Sequence, residues 1–450
     1  MRRPAAVAGL LLSFCALDAE RAGAQDVVIQ VVNGANELGE PTAAALLEGL
    51  DPETALVVCS ATLVGCDVAI SAGHCFNGQN APLRQTLFFQ HAGFYAIESA
   101  VRHPVYEDFI ENGIGEFYEV TRQEDISLIK LETPVSGITP ATINAIQKPG
   151  AGTPGKVVAF GRDPVDEISS FQQNAGIKRS GTMALGVCQD PTLSPWDVLC
   201  WQPTAPLGPP GQNVSTCNID SGGPLYVTFV DERVVAGLTK GAILTSGSCQ
   251  PPVEAYDTNV FRHRAWIAQA AADAGAMPLD LKVCSALPQL GEQAEPSACD
   301  GLPWDPGERT RLCGFQGTLS NSVQTQAHVF QVPEGSGRLR VALNGISRNV
   351  NPVDVDFYVR FGAPATPAEN DCAADASGSF AFCEFVSPEA GSWHVLAAQG
   401  SGTVEYQVVV TQFAAPPPPG VPALGPGLRL LLAGCLALAA AVAAGRWRRP

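Results

Sequence analysis

Positive charge is scarce in this chain. Its 450 residues carry 27 lysines and arginines against 44 aspartates and glutamates, a formal net charge of −17, and no basic stripe runs along any segment. A phosphate backbone would find nothing to neutralise it, which excludes nucleic acid as a partner and leaves the acidity to serve solubility. Helical periodicity is equally thin. No long helix is expected before Phe261, and no internal repeat is evident.

What is present is short strands and turns. Leu56 to Val64 alternates as a barrel strand does, and Val68-Ala69-Ile70 leads toward His74. Further strands are expected at Gln85–Phe89, Tyr95–Val101, Ile126–Leu131 and Lys156–Phe160, parted by Pro, Gly and acidic turns. Many short strands at regular spacing argue for β-barrels. Phe261 to Ala274 has the clearest amphipathic helical pattern, closed by Gly275, with His263 read as a surface residue. A chain this long with 46% hydrophobic residues can bury more than one core, so several domains are expected.

Residues 1–24 have the form of an export signal: Arg2-Arg3, an apolar run from Ala5 to Leu17, then Ala22-Gly23-Ala24. Cys15 falls inside that run behind Phe14, which is not small, so lipidation there is rejected. Fourteen cysteines in an exported chain imply disulfides in place of metal or redox chemistry. Cys372 and Cys383 stand at hairpin spacing and are expected to pair. Cys66, Cys284, Cys299 and Cys313 leave three connectivities open; Cys299 with Cys313 and Cys66 with Cys284 is the preferred one, because the latter bond would tie a barrel to the segment after its helix.

Three motifs carry chemistry. Cys217-Asn218-Ile219-Asp220-Ser221-Gly222-Gly223-Pro224 surrounds a serine with glycines that keep bulk away from its hydroxyl. Ser71-Ala72-Gly73-His74-Cys75 supplies an imidazole, and Asp125 opens an apolar strand. A weak hydroxyl nucleophile needs such a base, and the base needs an orienting carboxylate. In the order His, Asp, Ser these motifs resemble the chymotrypsin/trypsin-like serine proteases over roughly Val31 to Gly275.

That resemblance implies a two-barrel domain over 31–283 with a C-terminal helix, and a catalytic set of His74 as base, Asp125 as orienter and Ser221 as nucleophile. The N–H groups of Ile219 and Ser221 would bind the oxyanion. It pairs Cys59 with Cys75, Cys188 with Cys200 and Cys217 with Cys249. Residues 25–30 would be a short propeptide, freeing Val31, whose new amine pairs with Asp220. Ser215, Thr239, Gly241 and Glu254 would line the substrate pocket, Thr239 offering its hydroxyl to Asp125 and Glu254 an acid near the pocket base. The chain departs from the family at several points. Ile219 replaces a glycine, Gly73 an alanine and Lys240 a tryptophan; Gln30 is not basic, and Ser215 stands where members with a preference for Arg or Lys carry Asp. Ile219 leaves two readings: an intact oxyanion hole that excludes bulky primed-side residues, or an impaired one.

Beyond the helix, 284–300 reads as a linker rich in Pro, Gln and Glu. Strands resume at Val329–Val332, Leu339–Leu343, Val355–Phe361, Ser379–Phe385, Trp393–Ala398 and Val404–Phe413, a β-sandwich over 301–414. Asp354-Val355-Asp356-Phe357-Tyr358 with Gly391-Ser392-Trp393 resembles the bacterial pre-peptidase C-terminal domain, an accessory domain without catalytic residues. Asp354 and Asp356 are read as strand-edge acids, with calcium as the alternative and no other metal or cofactor expected. Residues 415–427 form a Pro-rich spacer whose Val421-Pro422-Ala423-Leu424 resembles the IPTL-type sorting motif. An apolar run and basic tail at 428–450 would make a transmembrane segment with the arginines cytoplasmic. The whole describes an all-β, exported or surface-held endopeptidase, monomeric, acting on proteins or peptides and touching the membrane only through its tail. The rivals are a protease-like binding protein without turnover and an esterase using the same triad.

Overall fold

The computed structural model describes residues 31–51, 54–76, 85–112, 124–161, 175–217, 219–244, 249, 251–297, 299–347 and 353–416. The stretches expected to form an export signal, a propeptide before Val31, a sorting motif within the Pro-rich spacer, and a transmembrane segment lie outside the described residues, apart from the first two residues of the spacer. Among the described residues no helix is long and apolar enough to cross a membrane.

The first half builds two β-structures side by side. After β1 (Ala35–Asn36), the strands β2 (Ala43–Glu48), β3 (Leu56–Gly65), β4 (Val68–Ser71), β5 (Gln85–Phe89), β6 (Gly93–Arg102) and β7 (Ser127–Leu131) close a barrel in the order β2-β3-β4-β7-β6-β5. β8 (Pro154–Ala159), β9 (Arg179–Ala184), β10 (Val198–Trp201), β11 (Pro224–Phe229), β12 (Glu232–Leu244) and β13 (Val253–Asn259) join β1 in a second sheet, ordered β1-β9-β8-β11-β12-β13-β10. A bridge between Gly186, just past β9, and Cys200 in β10 brings the far ends of that sheet together. Alternating apolar residues fill both interiors, as Leu46, Leu63, Leu87 and Ile129 do in the first and Val157, Leu225 and Ala236 in the second.

Among the described residues two α-helices interrupt the β-structure. One short helix precedes Phe261: α1 (Pro104–Asn112), which starts with proline, carries Glu107 in its first turn and donates the Glu107 N–H to the His103 carbonyl. Proline at the first helical position has no N–H to leave unpaired, and an acid there suits the positive end of the dipole. α2 (Val260–Asp273) buries Val260, His263, Ile267, Ala270 and Ala271. His263 is thus not a surface residue: it falls on the apolar stripe one turn after Val260 and one before Ile267, and is 1% exposed.

The second half is a sandwich of two four-stranded antiparallel sheets. One orders β14 (Thr310–Leu319), β21 (Val404–Ala414), β16 (Ser336–Gly345) and β19 (Phe380–Val386); the other orders β15 (Thr325–Val332), β20 (Gly391–Ser401), β17 (Asp354–Phe361) and β18 (Cys372–Ala374). Its strand β14 has no counterpart among the expected strands, since Gly314 and Gly317 interrupt the apolar alternation there. The presumed linker is not free chain: Leu290 is buried and bonded to Gly137 and Thr139 beside the first barrel.

The sandwich sits on the barrels through a buried polar seam. Gln407 receives the Gln90 amide at 2.9 Å and exchanges bonds with the Lys178 backbone at 3.0 and 3.1 Å, while Asn344 donates to the Gly176 carbonyl at 2.7 Å. Arg340 reaches across to Ser136 and His91, and the Phe88 and Phe380 rings meet edge to face. Six disulfides brace the chain: Cys59–Cys75, Cys66–Cys284, Cys188–Cys200, Cys217–Cys249, Cys299–Cys313 and Cys372–Cys383.

Candidate active site

Strand β4 ends at Ser71, and a single 3-10 turn, Gly73–Phe76, presents His74 with its side chain partly exposed. Strand β7 lies antiparallel to β4, pairing Ser71 with Ser127, so Asp125 at the lead-in to β7 arrives beside that turn. The Asp125 carboxylate is fully buried. Its Oδ1 accepts the His74 backbone N–H at 2.7 Å and its Oδ2 lies 2.7 Å from His74 Nδ1. Two bonds to one residue fix both the backbone turn and the ring orientation.

The Ser221 loop is sewn between the two barrels. Ser60 in β3 donates its N–H to the Ser221 carbonyl at 2.8 Å, and Gly222 donates to the Thr239 carbonyl in β12 at 2.7 Å. Cys59–Cys75 ties the same stretch of β3 to the residue after His74. Gly222 has φ +83, and a Cβ there would stand 2.1 Å from Ser71 Oγ and 2.2 Å from the Ser60 carbonyl oxygen, so only glycine lets the loop press against the histidine-bearing strand. Ile219 has φ +73, a left-handed conformation that a β-branched residue adopts at a cost of about 1–2 kcal/mol.

Lys240 is the unforeseen member. Strands β12 and β13 slip register between Thr239 and Gly241, leaving Lys240 as a bulged residue. Its Nζ lies 2.6 Å from Asp125 Oδ2 and 3.3 Å from His74 Nδ1. The hydroxyl of Thr239, expected to serve Asp125, is buried with no hydrogen-bond partner among the described residues; the ammonium has taken its place. Burial works against the Asp125 charge, but His74 and Lys240 outweigh it and hold the carboxyl far below the usual range. The sequence signal was there, a lysine in place of a bulky aromatic, but the bulge that aims it was not.

Asp220 lives differently. It is fully buried, with Oδ1 on the Gly161 amide at 3.0 Å and Oδ2 on the Cys217 amide at 2.8 Å. A Cβ on Gly161 would overlap that carboxylate at 2.0 Å. No cation reaches Asp220 among the described residues, and burial pushes its carboxyl up to about 7 despite the two amides. Val31 is buried in the core of the second barrel, and the next residue, Val32, bridges Ser215, whose N–H it receives at 3.2 Å.

Of the four pocket residues, Ser215 is buried and uncharged, and a Cβ on Gly241 would meet only the Tyr256 hydroxyl, at 3.8 Å. Glu254 requires a correction. Its carboxylate accepts the backbone N–H groups of Gln189 at 2.6 Å and Asp190 at 2.8 Å and the Gln202 amide at 2.7 Å, so it staples the Cys188–Cys200 loop and has no free oxygen turned to a ligand. In the sandwich, Asp354 accepts the Gly378 N–H at 2.9 Å.

Residues 48–267 match the trypsin family model, and residues 324–399 match the bacterial pre-peptidase C-terminal domain. No curated protein matches the chain. The chain therefore carries a trypsin-like serine protease domain followed by a pre-peptidase C-terminal domain, and its disulfides and second domain are features of an extracellular protein.

Proposed function

We propose that the chain is a serine endopeptidase in which Ser221 attacks a peptide carbonyl to form an acyl-enzyme. His74 takes the hydroxyl proton and returns it to the leaving amine, and Asp125 holds the imidazole in the tautomer that makes Nε2 the base. The observation that carries this reading is the two-point grip of Asp125 on His74, beside a serine loop bonded to the same strand system. The oxyanion would be met by the N–H groups of Ile219 and Ser221. The positive φ of Ile219 supports an open hole, since the backbone keeps a conformation suited to glycine although the side chain is not.

Lys240 acts as a positioning residue, a second donor to Asp125. Ser215 and the committed Glu254 leave no free carboxylate for a basic side chain, which supports a preference for uncharged residues before the cleaved bond. Cleavage before Val31 would supply an amine to Asp220 and remove the cost of its lone buried charge. Export through residues 1–24 and retention or release through the C-terminal tail complete the reading, with calcium or any other cofactor unnecessary to the hydrolysis. A second reading, a binding protein with little turnover, draws on Lys240, which shares the carboxylate that would otherwise stabilise the imidazolium alone.

Cleavage of a randomised peptide library decides between them, with Ser221→Ala as control. Cuts that vanish in the control establish the endopeptidase and report its preference. Fluorophosphonate labelling of Ser221 with ester turnover and no peptide cleavage would establish the esterase instead, and neither labelling nor cleavage would favour the binding protein.

A further inference from the structure

A single step along the chain leads from Asp125 to a second polar cluster: Glu124 immediately precedes it. Its side chain turns the other way, toward the helix α2. Glu124 Oε2 lies 3.3 Å from His103 Nδ1 and 3.7 Å from His263 Nδ1, and the three donor atoms all fall within 4.8 Å of one another. His103 joins β6 to α1, Glu124 leads into β7 and His263 sits on α2, so three separate elements converge here.

We propose that His103, Glu124 and His263 form a binding site for a divalent transition-metal ion of the zinc class. For ligand bonds of about 2.0–2.1 Å, the edge of a tetrahedron is roughly 3.3–3.4 Å. The two donor separations from Glu124 Oε2 stand at or near that value before any ion pulls them together. Two imidazoles and one carboxylate are a set that zinc takes with a fourth position left to water. The His103 and Glu124 side chains are only 14% and 11% exposed, so the donor atoms are largely shielded from bulk water.

The surroundings serve such a site. Arg262 donates to Oε1 at 2.6 Å and, at the longer 3.5 Å, to Oε2, and is itself paired with Asp197, so the carboxylate is held with Oε2 near the imidazoles and the guanidinium charge is matched. Outer partners of this kind aim ligating carboxylates. Among the described residues His103 Nδ1 is buried without a hydrogen-bond partner, its approach to Glu124 lacking the geometry of one. The bound ion would staple α2 to the lead-in of β7 next to Asp125. The other two groupings of potential ligands are each built on a disulfide, whose sulfurs are unavailable.

The test uses the full chain carrying Ser221→Ala, so that its result does not depend on whether the protein hydrolyses peptides. After EDTA treatment and dialysis, Zn²⁺ and Co²⁺ are titrated separately. The expected result is one ion per chain, four-coordinate Co²⁺ visible bands, and a Tm raised by several degrees by ligand linkage. Zinc X-ray absorption should show two imidazoles and oxygen ligands. His103→Asn and Glu124→Gln should each abolish the bands and the Tm shift, while His394→Asn retains both. Absence of stoichiometric binding in the Ser221→Ala protein overturns the proposal. So does binding that persists in both site variants, or an absorption spectrum without two imidazoles, which decides the matter even where a variant fails to fold.

Discussion

Asp125 is buried beside an imidazole and an ammonium, whereas Asp220 is buried against two backbone amides alone. Both are fully enclosed, and both would pay heavily to ionise in isolation. At Asp125, His74 and Lys240 reverse that penalty; at Asp220, the amides of Gly161 and Cys217 do not. The difference teaches that burial leaves a carboxylate ionised only where a cation stands beside it, as at Asp125, and that two backbone amides do not suffice at Asp220. Asp257, buried nearby, has both carboxylate oxygens without a hydrogen-bond partner among the described residues, and burial together with the Asp220 charge raises its carboxyl as well.

The largest expected effect breaks the Asp125 side. Asp125→Asn should lower kcat by about 10⁴-fold with the fold retained, because an amide favours the wrong imidazole tautomer; steady-state kinetics on the best library peptide checks it. Lys240→Met comes next. It removes one charged donor, worth about 1.5–3 kcal/mol of stability by urea unfolding, and should lower kcat about tenfold with little change in KM; an increase in kcat would show that Lys240 restrains the triad.

The two acids also differ in the sign of their pH dependence. Because the folded Asp125 carboxyl is depressed, its contribution is complete above the ordinary value of 3.8 and is lost as pH falls toward the depressed one. Asp220 runs the other way. Between its ordinary 3.8 and about 7 the unfolded chain has released a proton that the folded chain keeps, so stability falls as pH rises across that window. The slope is at most about 1.4 kcal/mol per pH unit. Asp220→Asn should remove that component from urea unfolding curves between pH 4 and 7, and cleavage before Val31 should reduce it in the unsubstituted protein. The smallest effect concerns the neighbouring Ile219. Ile219→Gly relieves a left-handed β-branched residue but adds backbone entropy to the unfolded chain, so the net gain should be about 1 kcal/mol or less, with kcat changed by less than about threefold. A larger rise in kcat would mark the hole as impaired.

Much of the β-architecture was legible because apolar alternation with period two survives in single strands such as Gly391–Ser401 and the start of Asp354–Phe361. α1 was hidden because its nine residues are fewer than the span over which a helical period can be read with assurance. β14 was hidden by its glycines. His263 was misplaced because polarity suggested water, whereas its position in the helical turn put it on the stripe that packs inward.

By itself the sequence determined which residue types could do chemistry, since a serine among glycines, a histidine after a strand and an acid opening another are local patterns. It determined the excess of cysteine and acid in the same way. Tertiary structure alone decided what each charge faces. Lys240 meets Asp125 because two strands slip by one residue, Glu254 meets backbone amides because β13 lies over the Cys188–Cys200 loop, and Glu124 turns from the triad toward two imidazoles. Electrostatic interaction depends on separation and on the exclusion of water, and neither is written in the order of residues along the chain.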